Sequence, residues 1–310
     1  MNILVTGANG QLGSELRTLG ADKITAAGNC YIFTDIAELD ITNKSAVREF
    51  IGNQKIELVI NCAAYTNVEK AEEDVVTANM LNNEAAANLA NACKEQGAFL
   101  IHISTDYVFG QSCGNLPLTE NEPTNPLGVY GKTKLEGEES IKRITNDYLI
   151  FRTAWLYSQY GTNFVKIMRR LMAERESLNV VFDQVGTPTY AADLATVIFK
   201  IAEEKRYRHK ADSHFTTVET VDHVKLVEFA GYCGIYHFSN EGVCSWYDFA
   251  VAIAELSGTR CKINPCHSAE FPSKVTRPAF SVLDKTKIKR DFGISIPHWR
   301  DSLIRCMDRL

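Results

Sequence analysis

A chain of 310 residues with 45% hydrophobic and 23% charged residues has an ordinary globular composition, and it is long enough for one large α/β domain or two domains that share an interface. A net charge of -5 offers no general attraction to nucleic acid or to an anionic membrane surface. Nine cysteines without a CxxC pair indicate neither a disulfide framework nor a zinc ribbon, and no metal site is predicted.

The apolar runs are short. None approaches the roughly 18 to 20 residues of a membrane span, and residues 1–5 are too short and uncharged for a signal peptide. We therefore expect a cytoplasmic protein.

An apolar run at residues 3–5 leads directly into three glycines, Gly7, Gly10 and Gly13, and a helix is predicted over residues 14–19. Glycines between a strand and a helix let the backbone approach a pyrophosphate, which then sits on the helix N-terminus. The pattern predicts a dinucleotide site, and its GxxGxxG spacing resembles that of the short-chain dehydrogenase/reductase superfamily. A glycine turn that binds no ligand is the alternative.

A second predicted strand, at residues 31–34, ends at Asp35, about twenty residues past the glycines, where a carboxylate can accept from ribose hydroxyls. A 2'-phosphate beside Asp35 would be repelled, and the neighbouring Ile36 offers it no partner, so NADH is favoured over NADPH. Asp35 could instead serve only as a turn residue.

The next predicted strand, at residues 58–64, is a continuous apolar run of the kind found in parallel sheets, and another is predicted at residues 99–103. The first ends in small residues that leave room for a ribose or a flat ring. The second runs into Ser104, Thr105, Asp106 and Tyr107, at the sheet edge where ligands of α/β proteins bind. Thr105 can offer its hydroxyl to a substrate carbonyl, whereas His102 is predicted to be a core residue.

Tyr130 and Lys134 stand four residues apart at the start of a predicted helix and therefore share a face. A cation beside a phenol favours the phenolate and lowers a pKa that is near 10 in water. Tyr130 is accordingly the candidate general acid or base. The alternative is a surface tyrosine beside helical lysines.

Beyond a strand at residues 148–152, Trp155 could cover a substrate ring or belong to the core. Further elements are predicted at 161–175, 180–182, 191–203, 234–239, 245–257 and from 299 onward. The fold class is α/β: a Rossmann-type doubly wound parallel sheet with helices on both faces, plus a smaller mixed α/β C-terminal domain for substrate. We expect the dinucleotide-binding domain to span residues 1–155, with a contribution from about 180–240, and the substrate domain to span mainly 156–310.

Five motifs together resemble the dTDP-4-dehydrorhamnose reductases, which are extended short-chain dehydrogenases, and the resemblance covers nearly the whole chain. The motifs are the opening glycine turn and residues 104–109, 130–134, 152–155 and 186–189. The resemblance implies reduction of the C4 ketone of dTDP-4-dehydro-L-rhamnose by NADH or NADPH, the last step of dTDP-L-rhamnose synthesis. Related dehydratases carry a second carboxylate where this chain has Tyr107, so dehydration is disfavoured.

The resemblance also implies roles for individual residues. Tyr130 would donate a proton to the C4 oxygen, Lys134 would lower the Tyr130 pKa and hold the nicotinamide ribose, and Thr105 would bond the same oxygen. Asp106, Tyr107 and Trp155 match sugar-contacting positions. With Gly7 and Gly13 of the glycine turn, the cofactor-contacting positions are Gly10, Gln11, Leu12, Asp35, Asp40, Ile41, Ala64, Tyr65, Thr66, Tyr130 and Lys134.

The chain departs from the family pattern in two places. Residues 204–233 read as an insertion with a hairpin near 215–221. Some family members bridge a dimer with magnesium held by glutamates; Glu15 matches one such position, but Ala192 and Arg300 replace the others. We therefore expect a monomer or a homodimer without a bridging metal.

Two other functions stay open at this point. One is a reductase or epimerase for another nucleotide sugar, and the other is a regulatory subunit that binds a dinucleotide without catalysis. The complete set of Thr105, Tyr130 and Lys134 favours an enzyme.

Overall fold

The computed structural model describes residues 1–21, 25–110, 114–204, 207, 214–220, 223–229, 232–271 and 273–310, with the backbone alone for the two segments between 214 and 229. Strands and helices alternate in the first half. They are β1 (Asn2–Thr6), α1 (Gln11–Leu19), β2 (Cys30–Thr34), α2 (Lys44–Asn53), β3 (Ile56–Asn61), α3 (Val68–Ala71), α4 (Val75–Asn79), α5 (Ala85–Gln96), β4 (Phe99–Thr105), α6 (Val129–Ile144) and β5 (Tyr148–Thr153).

Shorter elements make up the second half. They are β6 (Leu156–Tyr157), α7 (Phe164–Glu174), β7 (Ser177–Val181), β8 (Val185–Gly186), β9 (Thr189–Tyr190), α8 (Ala191–Glu203), β10 (His214–Thr220), β11 (His223–Phe229), β12 (Gly234–His237), β13 (Cys244–Ser245), α9 (Trp246–Ser257), β14 (Lys262–Cys266), α10 (Thr286–Phe292) and α11 (Trp299–Met307).

The central sheet has six strands in the order β12-β5-β4-β3-β1-β2, and every neighbouring pair is parallel. Side chains along each strand alternate between two apolar clusters, one on each face: Ile3 and Ile60 pack with α1 and α8, and Leu4 and Val59 pack with α2 and α5. The predicted doubly wound fold is confirmed. The order reverses between β1 and β3, which is where such sheets open a crevice for ligand.

Helix α1 begins at Gln11, three residues before the predicted start. The reason is local: Gly10 is extended (φ -73, ψ 178) and takes the N-cap position, so the helix follows the second glycine directly. The free N–H groups of the first helical turn therefore lie at the glycine turn itself.

The second half packs around a third apolar cluster that includes Tyr157, Met168, Phe249 and Leu303. Three two-stranded pairs, β6 with β9, β7 with β14 and β8 with β13, connect its loops. Strands β10 and β11 form an antiparallel hairpin of their own, as predicted for this segment; Val221, at its predicted end, lies outside the described residues. Among the described helices, none has the length and apolarity needed to span a membrane.

Candidate active site

The glycine turn is shaped by contacts that leave no room for side chains. Gly7 has a φ of +64°, and a Cβ there would overlap the backbone of Ala63, just past the end of β3. A Cβ on Gly13 would collide with the carbonyl oxygen of Gly7. Gly13 thus packs against the backbone of the turn. Gly7, Gly10, Gln11 and Leu12 line the cavity described next.

A cavity of about 920 Å³ opens along the carboxyl ends of β1 to β5. It brings together all of the predicted site residues except Gly13 and Tyr65. Its lining includes Gly7, Gly10, Gln11, Leu12, Asp35, Asp40, Ile41, Ala64, Thr66, Thr105, Asp106, Tyr107, Tyr130, Lys134 and Trp155. The Tyr65 hydroxyl instead donates to Asp74 at 3.3 Å.

Acidic side chains line the cavity beyond β2. Asp35 accepts hydrogen bonds from the backbone N–H groups of Asn9 (2.9 Å) and Ile36 (2.8 Å). Asp40 accepts from the backbone and the hydroxyl of Thr42 at 2.9 and 2.7 Å. Sequence reasoning missed Arg17, whose guanidinium donates to the Asn9 side chain at 3.2 Å and so adds an exposed cation near Asp35.

Tyr130 lies at the start of α6, with its ring packed edge-on against Tyr107 at 5.5 Å between centroids. Burial raises the pKa of Tyr130 above its usual 10, and a hydrogen bond with the Thr105 hydroxyl offsets part of that rise. The phenol is therefore protonated at neutral pH. Thr105 itself donates to Asp106 at 3.0 Å and accepts from the Tyr107 backbone at 3.2 Å.

The ammonium of Lys134 was expected to lower the pKa of Tyr130, but burial dominates that pKa instead. The side chain is buried (2% exposed), and Nζ turns towards β4, where it donates to the carbonyl of Ile103 at 2.6 Å and lies 3.3 Å from Nε2 of His102. Burial lowers the pKa of Lys134 to about 8, although the charge of Glu138 opposes this. The helical spacing was predicted correctly, and Tyr130 and Lys134 both line the cavity; the role of Lys134 towards Tyr130 stays a prediction.

Asp106 and Tyr107 stand on the short 3-10 turn that follows β4. Burial raises the pKa of Asp106 to about 6. Burial also raises the pKa of Tyr107 to about 12, although the charge of Arg277 opposes this rise. The Arg277 guanidinium donates to the Tyr107 hydroxyl at 3.3 Å and pairs with Glu69, also at 3.3 Å. The guanidinium of Arg277 therefore places a positive charge beside Tyr107 in the cavity lining.

Trp155 packs face to face with Trp246 at 3.6 Å between ring centroids and an interplanar angle of 11°. Trp155 has a φ of +49°, which an L-residue rarely adopts, so its packing fixes an unfavourable backbone conformation. Trp246, Phe164 and Arg277 also line a second cavity of about 1130 Å³, beside α7 and β7. Nothing in the sequence marked Trp246, because its role arises from packing against a distant segment.

No group of three or more His, Cys, Asp or Glu side chains that could hold a metal occurs within the described ranges. Glu15 is buried, with a pKa raised by burial, and accepts from Gln159 at 3.3 Å. Arg300 pairs with Glu255 on the surface.

The sequence profile of the RmlD substrate binding domain family matches residues 1–310. The dTDP-4-dehydrorhamnose reductase of Aggregatibacter actinomycetemcomitans is 39% identical over 309 residues, which cover 97% of this chain and 96% of that protein.

Two solved dTDP-4-dehydrorhamnose reductases have similar folds. The structure from Clostridium acetobutylicum has a TM-score of 0.86 and 41% identity, and covers 100% of this chain and 99% of that one. The structure from Bacillus anthracis, in complex with NADP, has a TM-score of 0.86, 34% identity and the same coverage.

Proposed function

The chain belongs to the dTDP-4-dehydrorhamnose reductase family, and we propose that Tyr130, Thr105 and Lys134 carry out its reaction. That reaction is the NAD(P)H-dependent reduction of the C4 ketone of dTDP-4-dehydro-L-rhamnose, the last step of dTDP-L-rhamnose biosynthesis. The observation that supports these roles is the meeting of the Tyr130 and Thr105 hydroxyls in the cavity that also contains the glycine turn.

The residues around the glycine turn fit a dinucleotide. The first turn of α1, which begins at Gln11, offers N–H groups for a pyrophosphate, and Gly7 and Gly10 leave the adjoining backbone free of side chains. Asp35, directly after β2, and Asp40, further along the following loop, have carboxylates that can accept from ribose hydroxyls. When bound, NAD(P)H supplies the hydride.

The protein groups handle the proton. Tyr130 is protonated at rest because burial raises its pKa, so it can give its proton to the C4 oxygen as the ketone becomes an alcohol. Thr105, by turning its hydroxyl from Asp106 towards the substrate, would bond the same oxygen. Lys134, which lines the same cavity, would in its ammonium form stabilise the phenolate left on Tyr130.

The substrate has a sugar and a nucleotide part, and two cavities adjoin in this structure. We propose that the sugar lies in the first cavity against Tyr107 and Trp155, and that the nucleotide extends into the second. The shared wall supports this assignment, because Arg277 at the junction supplies a positive charge for a diphosphate.

We also propose that residues 1–155 form the cofactor domain and 156–310 mainly the substrate domain. Strand β12 in the central sheet and α8 packed on α1 support the expected contribution from about 180–240. The net charge of -5 offers no general attraction to nucleic acid or to an anionic membrane, so we propose neither as a partner, and a cytoplasmic location stays our expectation. A monomer or homodimer without a bridging metal stays our expectation.

An absorbance assay at the nicotinamide band tests the function. We expect the purified protein to oxidise NADH or NADPH when dTDP-4-dehydro-L-rhamnose is added, and to leave both unchanged with dTDP alone. Failure to oxidise either cofactor with this sugar would overturn the proposal. Faster turnover of a different 4-keto nucleotide sugar would reassign the substrate.

A further inference from the structure

The side chain of Asn61 has a fixed orientation. It is buried at the end of β3 (1% exposed), and its carbonyl oxygen accepts from the backbone N–H of Ala63 at 3.1 Å and from the Thr6 hydroxyl at 2.7 Å. A backbone N–H can only donate, so the atom facing Ala63 must be the oxygen. The amide NH2 therefore faces the other way, towards Nδ1 of His102 at 3.0 Å.

This orientation determines the tautomer of His102. The ring is buried (1% exposed), and its Nδ1 faces a donor, so Nδ1 must carry a lone pair. A neutral imidazole then has its proton on Nε2. In a charged ring Nδ1 would also carry a proton, and its N–H would then face the Asn61 NH2. Burial also disfavours the charged ring, because it lowers the pKa of His102 well below 6.5.

Nε2 of His102 faces the amine of Lys134 at 3.3 Å. An ammonium has three donors and no acceptor, so it cannot accept from an Nε2–H group, whereas a neutral amine can. We propose that Asn61 and His102 are positioning residues that hold an N–H donor against Lys134 and thereby favour its uncharged form. The Ile103 carbonyl, at 2.6 Å, accepts one of the amine protons.

Other ionisable groups around the pair do not reproduce this effect. Glu138 favours the charged form of Lys134 but is itself paired with Arg152 at 2.6 Å. Cys62, next to Asn61, has a pKa raised by burial to about 12 and is neutral. Tyr130 is protonated because burial raises its pKa, and a carboxylate such as Asp106, on the turn after β4, could only favour an ammonium.

The inference rests on the proposed function and deepens it. After Tyr130 has given its proton to the substrate, it must regain one. A lysine whose pKa lies close to the working pH can give up and take back a proton with little cost, whereas an ordinary lysine near 10.4 releases one reluctantly. The Asn61–His102 pair would thus set how readily Lys134 returns a proton to Tyr130.

Asn61→Asp tests the inference because it reverses the hydrogen bond. One carboxylate oxygen keeps the contacts to Ala63 and Thr6, and the other accepts from Nδ1, so the ring proton moves to Nδ1 and Nε2 can accept from the ammonium. We expect the alkaline pKa of the kcat–pH profile to rise by about one unit or more, a tenfold change in acid dissociation constant. An unchanged alkaline pKa in the folded variant would overturn the proposal.

Two variants control for the added charge and for loss of a contact. In a His102→Phe background, Asn61→Asp should shift the alkaline pKa much less, because the ring that carries the effect is gone; an equal shift would show a direct charge effect and overturn the proposal. Thr6→Val removes one of the two donors to the Asn61 oxygen but leaves that from Ala63. It should leave the alkaline pKa in place.

The tautomer can be measured without turnover. In protein labelled with 15N at histidine, His102, assigned by the signal lost in His102→Phe, should show a protonated Nε2 and an unprotonated Nδ1. The opposite pattern would overturn the inference even in an active enzyme. Absence of reductase activity would overturn the proposed function and leave this measurement intact.

Discussion

The guanidinium of Arg152 holds the carboxylate of Glu138 inside the protein, one helical turn beyond Lys134. Nη2 lies 2.6 Å from Oε2 and Nε lies 2.9 Å from Oε1, and the two side chains are 3% and 0% exposed. The Ser104 hydroxyl also donates to Glu138. The pair therefore joins β5 to the helix that carries Tyr130 and Lys134, at the level of the cavity.

Glu138→Gln should lower the free energy of unfolding by about 3 kcal/mol or more, because it leaves a buried guanidinium without its counter-charge. Urea unfolding followed by circular dichroism measures this. Glu139→Gln is the matched control: its pair with Lys142 is exposed, and we expect a loss below about 1 kcal/mol. Equal losses for the two variants would show that the buried pair contributes no more to the free energy of unfolding than the exposed pair.

Tyr130→Phe should reduce kcat by about two or more orders of magnitude while NAD(P)H still binds, because the phenol is the proposed proton donor and the other proposed cofactor contacts remain. Steady-state kinetics and cofactor fluorescence titration separate the two effects. Tyr148→Phe, at the start of β5 and outside the cavity lining, should be near wild type. Normal turnover in Tyr130→Phe would remove Tyr130 from the mechanism.

The sequence predicted the central sheet well because each of the strands β1 to β5 contains a short, mostly apolar run. It predicted less of the second half, where two-residue strands such as β6 and β9 exist only through pairing with each other. The site residues also divide into those that the sequence predicted and those that depend on long-range packing. Motif residues met in one cavity, whereas Trp246 depends on long-range packing and the inward turn of Lys134 depends on His102 and Ile103, neither of which helical spacing can reveal.

Asp106→Asn should make the protein more stable at pH 8. Burial raises the pKa of Asp106 to about 6, above the value near 3.9 in an unfolded chain. Above pH 6 the folded protein holds an ionised buried carboxylate, whereas in the unfolded chain the same carboxylate is solvated. This difference lowers the free energy of unfolding by roughly 3 kcal/mol at most. Below about pH 4 the acid is protonated in both states and this cost vanishes.

Chemical denaturation at pH 4, 6 and 8 checks this sign. The stability gain of Asp106→Asn over wild type should grow between pH 4 and 6 and then level off. The substitution should also raise the KM for the sugar, because Asp106 is a proposed substrate contact. Asp308→Asn, on the exposed end of α11, should follow wild type at each pH. A gain that does not vary with pH would contradict ionisation of Asp106 as its cause.

Arg17 adds a cation near Asp35, the carboxylate whose charge favours NADH. Its guanidinium is exposed, lies 5.5 Å from the Phe33 ring centroid and bonds to Asn9, whose backbone N–H donates to Asp35. A 2'-phosphate near Asp35 would be repelled by the carboxylate but could be paired by Arg17. The two side chains therefore act in opposite directions on the choice between NADH and NADPH.

Arg17→Gln should lower kcat/KM for NADPH about tenfold, the equivalent of one charge-assisted hydrogen bond of about 1.4 kcal/mol, and change that for NADH by less than about twofold. Asp35→Asn should have the opposite effect, weakening NADH and sparing NADPH. Arg48→Gln, in a surface pair with Glu95 at 2.7 Å, is the control for loss of a positive charge. If Arg17→Gln weakens both cofactors equally, Arg17 supports the glycine turn through Asn9 instead of recognising a phosphate.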